Sequence, residues 1–352
     1  MATLADRPGA RAAAEKTLHH RAEASHSECG AANGSDSMPC PDVESATREP
    51  DHPGESGRLC TMEGQITTGL VVEGGAMRGI FSAGVLDVFH ERGLLHFDVA
   101  VGASAGACNI ACFLALQLGR NRRCYLDHMS RREFIDVRRG LRGGHVLDLD
   151  WLWTAFARED PLDVDAVFRS STALYVVGTS VATGAAIYTR PGASDLLDVL
   201  KGSCALPVLY RGTVHMHGER VVDGSIADPI PVEEAYRRGA RRIVVVRSRA
   251  ATFVKKPSIT NLASSALFWR TPALRRAIAT LPERYALAVG LINRPPADCG
   301  IVHVTPDAPL ATGRTTQDGK ALAHDYELGR RAGERAAMEI TQWKSSSPGL
   351  PQ

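Results

Sequence analysis

Residues 101–109 read VGASAGACN, and this stretch decides how the chain around it is built. Ser104 lies between Gly102 and Gly106, directly after the apolar run FDVAVG at residues 97–102 and before a stretch that is apolar nearly all round. A G-x-S-x-G pentapeptide between a strand and a buried helix is typical of a nucleophile elbow, because the glycines let strand and helix approach without Cβ clashes. Ser104 is therefore a candidate nucleophile, and the alternative is a small residue in a tight bend.

The segments on either side of this turn alternate between strand and helix patterns. TGLVV at residues 68–72 and RRIVVV at 241–246 read as buried strands, and IFSAGVLDVFHERG at 80–93 has the apolar period of a helix. Residues 174–189 read as a hairpin that turns at Thr183-Gly184. This alternation predicts an α/β fold with a largely parallel central sheet and helices on both faces.

A glycine-rich turn precedes the elbow by one strand–helix unit. Residues 73–79 read EGGAMRG, and such a turn exposes backbone N–H groups that suit either a phosphate or an oxyanion. The spacing is not the G-x-G-x-x-G of dinucleotide-binding loops, and no acidic residue follows in the expected context. A nucleotide-binding regulator therefore remains only as a third hypothesis.

A candidate acid–base residue follows a later strand pattern. Asp223 ends the apolar run in VVDGS at residues 221–225 and is followed by Gly224. At the end of a buried strand, an aspartate projects into a site at the carboxyl edge of the sheet. The alternative is an aspartate that serves only as a turn residue before glycine.

GGAMRG, GASAG and DGS, in this order and spacing, resemble the patatin-like phospholipases. The resemblance extends through GSCALPVLY at 202–210 and ADPIPVEEA at 227–235, and the C-terminal part resembles a bacterial subgroup of that family. It implies a three-layer α/β fold and acyl-ester hydrolysis of phospholipids or neutral acylglycerols. The function we expect is a serine lipid acyl hydrolase, and the alternative is a catalytically silent lipid- or partner-binding member of the same fold.

The resemblance also implies the roles of the site residues. Ser104 would be the nucleophile and Asp223 the base that takes its proton. The oxyanion loop would comprise Gly74, Gly75, Ala76 and Arg78, and the supporting turns would rest on Gly102, Gly106 and Gly224. Two positions depart from the family pattern. Ala76 stands where the third glycine is usual, which matters if that position needs a positive φ, and Asp223-Gly224-Ser225 stands where D-G-G is usual.

The sequence leaves open whether a third catalytic residue joins Ser104 and Asp223. An ordinary α/β-hydrolase carries its serine, acid and histidine in that order along the chain, with several strands before the elbow. His303 and His324 follow Asp223, so a triad is an alternative to a dyad, although neither lies in a recognisable loop motif.

The composition limits the classes of binding partner and the cellular location that we expect. The 352 residues carry a net charge of +2, which does not favour a nucleic-acid partner. The eight cysteines are scattered without a disulfide framework, and no apolar run of about 18 residues appears, so we expect a cytoplasmic protein. Peripheral membrane contact through Phe268, Trp269 and Arg270 is a further hypothesis. His215 and His217 are not accompanied by further residues at the spacing of metal ligands, and neither are Cys108 and Cys112, which lie one helical turn apart. We therefore expect no metal and no cofactor.

Three stretches are expected along the chain. Residues 1–64 lack an apolar period and are predicted to form a disordered leader, and residues 346–352 a disordered tail. Residues 65–345 would form the acyl hydrolase domain, including a C-terminal helical region. Met62 directly precedes the first predicted strand and is an alternative start of the protein.

Overall fold

A computed structural model describes residues 67–256 and 270–345 of the chain. The expected leader at 1–64 with Met62, the tail at 346–352, and the two aromatic residues Phe268 and Trp269 lie outside these described residues.

The described chain is built on a mainly parallel sheet. Its strands are β1 (Thr67–Val72), β2 (Val99–Ala103), β3 (Ala173–Ser180), β4 (Ala186–Thr189), β5 (Val214–Met216), β6 (Glu219–Asp223), β7 (Ala240–Val246) and β8 (Gly300–Val304). The order is β5-β6-β3-β2-β1-β7-β8, and β4 pairs with β3. The pairs from β3 through β2, β1 and β7 to β8 are parallel, whereas β4, β5 and β6 are antiparallel to their neighbours. The largely parallel sheet is therefore confirmed.

Helices fill the connections between these strands. They are α1 (Gly79–Glu91), α2 (Ala105–Leu114), α3 (Arg120–Arg123), α4 (Val137–Leu141), α5 (Leu149–Glu159), α6 (Val164–Arg169), α7 (Leu196–Ser203), α8 (Val232–Arg237), α9 (Pro272–Ala279), α10 (Leu281–Asn293) and α11 (Gly319–Ser345). A π-helical stretch at Cys124–Met129 and 3₁₀ turns at Ala76–Arg78 and Gly224–Ile226 complete the path. Among the described residues, no helix combines the length and the apolar character needed to cross a membrane.

Alternate residues of the central strands pack against opposite layers of helices. Leu70 and Val72 of β1 belong to a buried cluster with apolar residues of α1, α2, α7 and α11. Val71, which points the other way, belongs to a second cluster with residues of α8 and α10. Because successive side chains of a strand point to opposite faces, these two clusters confirm the three-layer architecture.

Strand β3 brings two distant segments of the chain together. Val176 and Val177 pair with both β2 and β4, while Gly178 and Thr179 pair with both β4 and β6. The strands β2 and β6 therefore follow one another along the same edge of β3. Ala103 is paired with Val177 and Asp223 with the next residue, Gly178. This register sets the end of β2 beside the end of β6.

Candidate active site

Ser104 lies at a sharp turn between β2 and α2, with φ 53° and ψ −130°. A residue with a side chain rarely adopts this backbone conformation, and holding one there costs roughly 1–3 kcal/mol. The flanking glycines permit the turn. A Cβ on Gly102 would lie 2.7 Å from the Ala107 backbone, and one on Gly106 would lie 2.3 Å from the Val72 carbonyl oxygen. The predicted strand–turn–helix setting is therefore present, with the backbone strain that a nucleophile elbow requires at its serine.

A second serine holds this turn in position. The Ser104 N–H donates to Ser203 Oγ at 2.8 Å, and Ser203 Oγ donates to the Val177 carbonyl oxygen at 2.6 Å. Ser203 is fully buried. The sequence alone gives Ser203 no role, although this serine lies in the GSCALPVLY stretch that carries part of the resemblance.

The structure brings Ser104 and Asp223 into direct contact. Ser104 Oγ donates to Asp223 Oδ2 at 2.7 Å, and the Ser225 N–H donates to Asp223 Oδ1 at 2.8 Å. Both interacting side chains are buried, with 5% of Ser104 and 1% of Asp223 exposed. Gly224 lets the chain turn closely against β3, because a Cβ there would lie 2.0 Å from the Val177 carbonyl oxygen. The aspartate therefore has one oxygen fixed by the backbone and the other facing the serine.

Burial raises the pKa of the Asp223 carboxyl above its ordinary value of 3.8. Desolvation is the largest cause, and the hydrogen bonds from Ser104 and Ser225, together with the positive charge of Arg314, oppose it. A raised pKa makes the carboxylate a stronger base than an exposed aspartate.

The glycine-rich loop faces the same point. A Cβ on Gly74 would lie 2.0 Å from Ser225 Oγ and 3.2 Å from Ser104 Cβ, so the loop backbone is tight against the serine. The Gly74 N–H lies 3.4 Å from the Pro229 carbonyl oxygen. The N–H groups of Gly75 and Ala76 have no acceptor among the described residues. Two backbone donors thus remain available beside Ser104.

Ala76 adopts φ 49°, in the left-handed region that favours glycine. The replacement of the usual glycine by Ala76 therefore falls at a position that needs a positive φ. For an L-residue this conformation costs roughly 1–2 kcal/mol.

Arg78 has a buried side chain at the other end of the loop, with 5% of it exposed. Burial, followed by the repulsion of Arg249, lowers the pKa of its guanidinium to about 10. Its Nε is buried without a hydrogen-bond partner, and its side chain forms no ion pair within the described ranges. A buried cation without an anionic partner is suited to receive negative charge.

Glu73 anchors the start of the loop to the C-terminal half of the chain. Its Oε2 accepts from the Ser248 N–H at 2.7 Å, and its Oε1 accepts from the Tyr285 hydroxyl at 2.9 Å. Arg247, which is fully buried, donates to the same Tyr285 hydroxyl oxygen at 2.9 Å. The sequence alone gives these residues no role, because they are polar groups scattered over more than 200 positions.

Two cavities meet at Ser104. One, of about 210 Å³, is lined mainly by apolar side chains of α2, α5 and α7, including Cys108, Leu152 and Phe156. The other, of about 460 Å³, is lined by the glycine loop, Asp223 and cationic side chains. The residues that line both are Ala76, Ser104, Leu206 and Arg314. The nucleophile candidate therefore stands between an apolar cavity and a cavity whose wall also carries charged side chains.

The two histidines considered for a triad have other partners. His303 Nε2 lies 3.1 Å from Arg247 Nη1, and burial, with repulsion by Arg247, lowers the pKa of His303 to about 4. His324 Nδ1 lies 3.0 Å from Asp325 Oδ1. The geometry favours a dyad over a triad because the contact of Asp223 is with the serine itself.

One cluster in the described part of the chain has donor atoms close enough together for a metal ion: His145, Asp148 and Asp150. These groups already serve the fold. The Asp148 carboxylate accepts from the Trp151 N–H at the start of α5, and the Asp150 carboxylate accepts from Lys201 Nζ and the Tyr210 hydroxyl. We assign this cluster to an ion-pair network.

A sequence model of the patatin-like phospholipases matches residues 70–236, and a model of a domain of unknown function, DUF6363, matches residues 271–345. The chain belongs to the patatin-like phospholipase family, a family of lipid acyl hydrolases. It is 35% identical over 271 residues to the uncharacterized protein YjjU of Escherichia coli strain K12. The aligned residues cover 75% of each protein.

The chain also shows a distant likeness to a solved structure. The crystal structure of VipD from Legionella pneumophila aligns with a TM-score of 0.40 at 15% identity, over 78% of this chain and 67% of that one.

Proposed function

We propose that the protein is a serine lipid acyl hydrolase that uses Ser104 and Asp223 as a catalytic dyad. The observation that carries the proposal is the 2.7 Å hydrogen bond from Ser104 Oγ to Asp223 Oδ2 at a strained strand-to-helix turn. Nucleophile and base lie within the distance at which a proton passes between them.

The proposed reaction assigns a group to each step. Ser104 Oγ attacks the ester carbonyl carbon while its proton passes to Asp223. The negative charge on the carbonyl oxygen is met by the N–H groups of Gly75 and Ala76 and by the field of Arg78. When the tetrahedral intermediate collapses, the leaving alcohol takes the proton from Asp223. A water molecule then attacks the acyl-enzyme and gives its proton to Asp223. When this second intermediate collapses, the bond to Ser104 Oγ breaks, the proton passes from Asp223 to Ser104 Oγ, and the fatty acid is released.

The apolar cavity beside Ser104 supports a lipid acyl group as the substrate part that reacts. Its walls are mostly aliphatic, aromatic and thiol side chains, which suit a hydrocarbon chain and offer few hydrogen bonds to a polar acyl group. We therefore propose cleavage of long-chain acyl esters, with the chain in this cavity and the alcohol portion on the side of the glycine loop.

The proposal is tested with a fluorophosphonate probe and p-nitrophenyl acyl esters. We expect the full chain to be labelled and active, Ser104→Ala to be unlabelled and inactive, and Asp223→Asn to lose about 10²–10⁴-fold in kcat. Ser194→Ala is the matched control, because Ser194 is exposed and lines neither cavity. Undiminished hydrolysis by purified Ser104→Ala would refute the proposal. An unlabelled and inactive wild type would favour the catalytically silent alternative.

A further inference from the structure

The larger cavity carries an excess of positive charge. Four cationic side chains line it, Arg78, Arg249, Lys255 and Arg314, against the two carboxylates of Glu73 and Asp223. Both oxygens of Glu73 are engaged by Ser248 and Tyr285, and both of Asp223 by Ser104 and Ser225. With all groups ionised, the cavity wall holds two positive charges more than negative ones.

None of these four cations is neutralised by an ion pair within residues 67–256 and 270–345. Arg249 stacks over the Phe253 ring at 4.4 Å, and Lys255 Nζ lies 5.3 Å from the centre of the Tyr285 ring. Such contacts orient a cation and leave its N–H groups free to bind an anion.

The cations also act on one another. Burial is the main cause that lowers the pKa of Lys255 to about 8, and the charges of Arg314, Arg78 and Arg249 contribute while Glu73 opposes them. This mutual repulsion is relieved when an anion enters. A dianionic group would balance the two excess charges, whereas a zwitterionic or neutral group would not.

Building on the proposed function, we propose that this cavity binds the phosphate of an acidic glycerophospholipid headgroup, with Arg249, Lys255 and Arg314 selecting a phosphomonoester over phosphocholine and over an uncharged alcohol. A lipid rather than a free phosphate is favoured because Ser104 lies between this cavity and the apolar one. One molecule can then fill both, with its acyl chain on one side and its phosphate on the other. Arg249 and Lys255 follow the segment matched by the family model, and Arg314 lies in the region matched by DUF6363.

The test compares dioleoyl phosphatidate, dioleoyl phosphatidylcholine and dioleoylglycerol at one mole fraction in micelles of a neutral detergent, with oleate release as the readout. We expect the highest kcat/KM for phosphatidate. Because a charge-assisted hydrogen bond to phosphate is lost, Arg249→Gln and Arg314→Gln should each lower that value by about tenfold or more. For Arg249→Gln, the rates on dioleoylglycerol and p-nitrophenyl butyrate should change by less than about twofold, which also shows that this variant is folded.

Three controls separate the effect of the cavity from that of general surface charge. Arg331→Gln removes an exposed cation of α11 that lines neither cavity, and it should leave the preference unchanged. Arg249→Lys keeps the charge and should recover part of the phosphatidate rate. The preference should persist at about 0.5 M NaCl, because partly buried charges are screened much less than surface charges.

The outcomes distinguish this proposal from the one on which it rests. Equal kcat/KM values for the three lipids, with p-nitrophenyl ester hydrolysis intact, would overturn the headgroup proposal and leave the hydrolase standing. Absence of all hydrolysis and of probe labelling would refute the hydrolase itself. If glycerol 3-phosphate inhibits through Arg314 while the lipids are not discriminated, the cavity serves a free phosphate and the lipid proposal fails.

Discussion

Replacing Asp223 by asparagine should stabilise the fold while it removes activity. The carboxylate is 1% exposed, and burial raises its pKa, which means that the folded chain holds the ionised form unfavourably. Taking an ion out of water costs several kcal/mol, while its two charge-assisted hydrogen bonds, from Ser104 and Ser225, each return about 1.5–3 kcal/mol. Asparagine keeps an acceptor for the Ser225 N–H and presents its amide to Ser104 Oγ, which rotates to accept.

The expected gain is about 1–2 kcal/mol in the free energy of unfolding at pH 8, because the neutral side chain avoids most of the desolvation while retaining both contacts. In a domain of this size each kcal/mol corresponds to about 2–4 °C in Tm. The loss of the base should at the same time lower kcat by about 10²–10⁴-fold. Such an exchange of stability for activity is common at active sites.

The pH dependence has a definite sign. Since the pKa of Asp223 is raised in the folded state, the folded chain binds the proton of Asp223 more tightly than the unfolded chain does. The stability of the wild type therefore falls as the pH rises from 3.8 through the pKa that Asp223 has in the folded chain. Above that pKa, Asp223 causes no further change in stability. The asparagine variant lacks this change. The difference between the two proteins should be largest at high pH and should shrink towards pH 3.8.

Urea unfolding followed by tryptophan fluorescence at several pH values measures this difference. Glu327→Gln is the control, since Glu327 is exposed on α11 and its replacement should change the free energy of unfolding by less than about 0.5 kcal/mol. An Asp223→Asn protein that is less stable than wild type at pH 8, or a difference that does not vary with pH, would refute the reasoning.

The remaining predictions concern the turn, the loop and its anchor. Ser104→Ala and Ser104→Gly should both be inactive. The free energy of unfolding in urea should be about 1 kcal/mol higher for the glycine variant than for the alanine variant, because φ 53° strains alanine. Equal free energies of unfolding would count against a strained elbow. Gly106→Ala should lose about 1–3 kcal/mol in thermal unfolding, since its Cβ would meet the Val72 carbonyl oxygen at 2.3 Å, and unchanged stability would contradict this contact. Tyr285→Phe should lower kcat for p-nitrophenyl butyrate by about tenfold with little change in KM. A change in KM alone would assign Tyr285 to substrate binding.

The local parts of the site could be predicted from the sequence, because they depend on short-range rules. The glycines at 102 and 106 around Ser104 indicated a strand–turn–helix unit, and the structure contains it. The end of the helix could not be predicted in the same way. The apolar pattern extends α2 to residue 118, whereas the structure ends it at Leu114, since Leu116 adopts φ 56° and is 55% exposed.

The meeting of Ser104 with Asp223 was beyond any local rule. Their contact spans 119 residues and depends on β2 and β6 following one another along the same edge of β3. Only the family resemblance suggested it. Arg249 gave no signal, because it lies in no periodic or charged run. Arg314 ends the stretch PLATGR at 309–314, which is part of the resemblance to the bacterial subgroup, but the sequence assigned it no role, since its proximity to Arg249 arises from the tertiary fold.

The oxyanion loop is best understood as a short segment held by the C-terminal part of the chain. Glu73 before it is bound to Ser248 and Tyr285, and the Met77 N–H within it lies 3.5 Å from the Arg314 carbonyl oxygen. These contacts explain how Ala76 is tolerated where glycine is usual: the strain of roughly 1–2 kcal/mol is comparable to one or two buried hydrogen bonds to a charged group. In the proposed mechanism, the region from residue 271 onward therefore helps to fix the loop, and the segment matched by the family model does not contain all the residues that contact the loop.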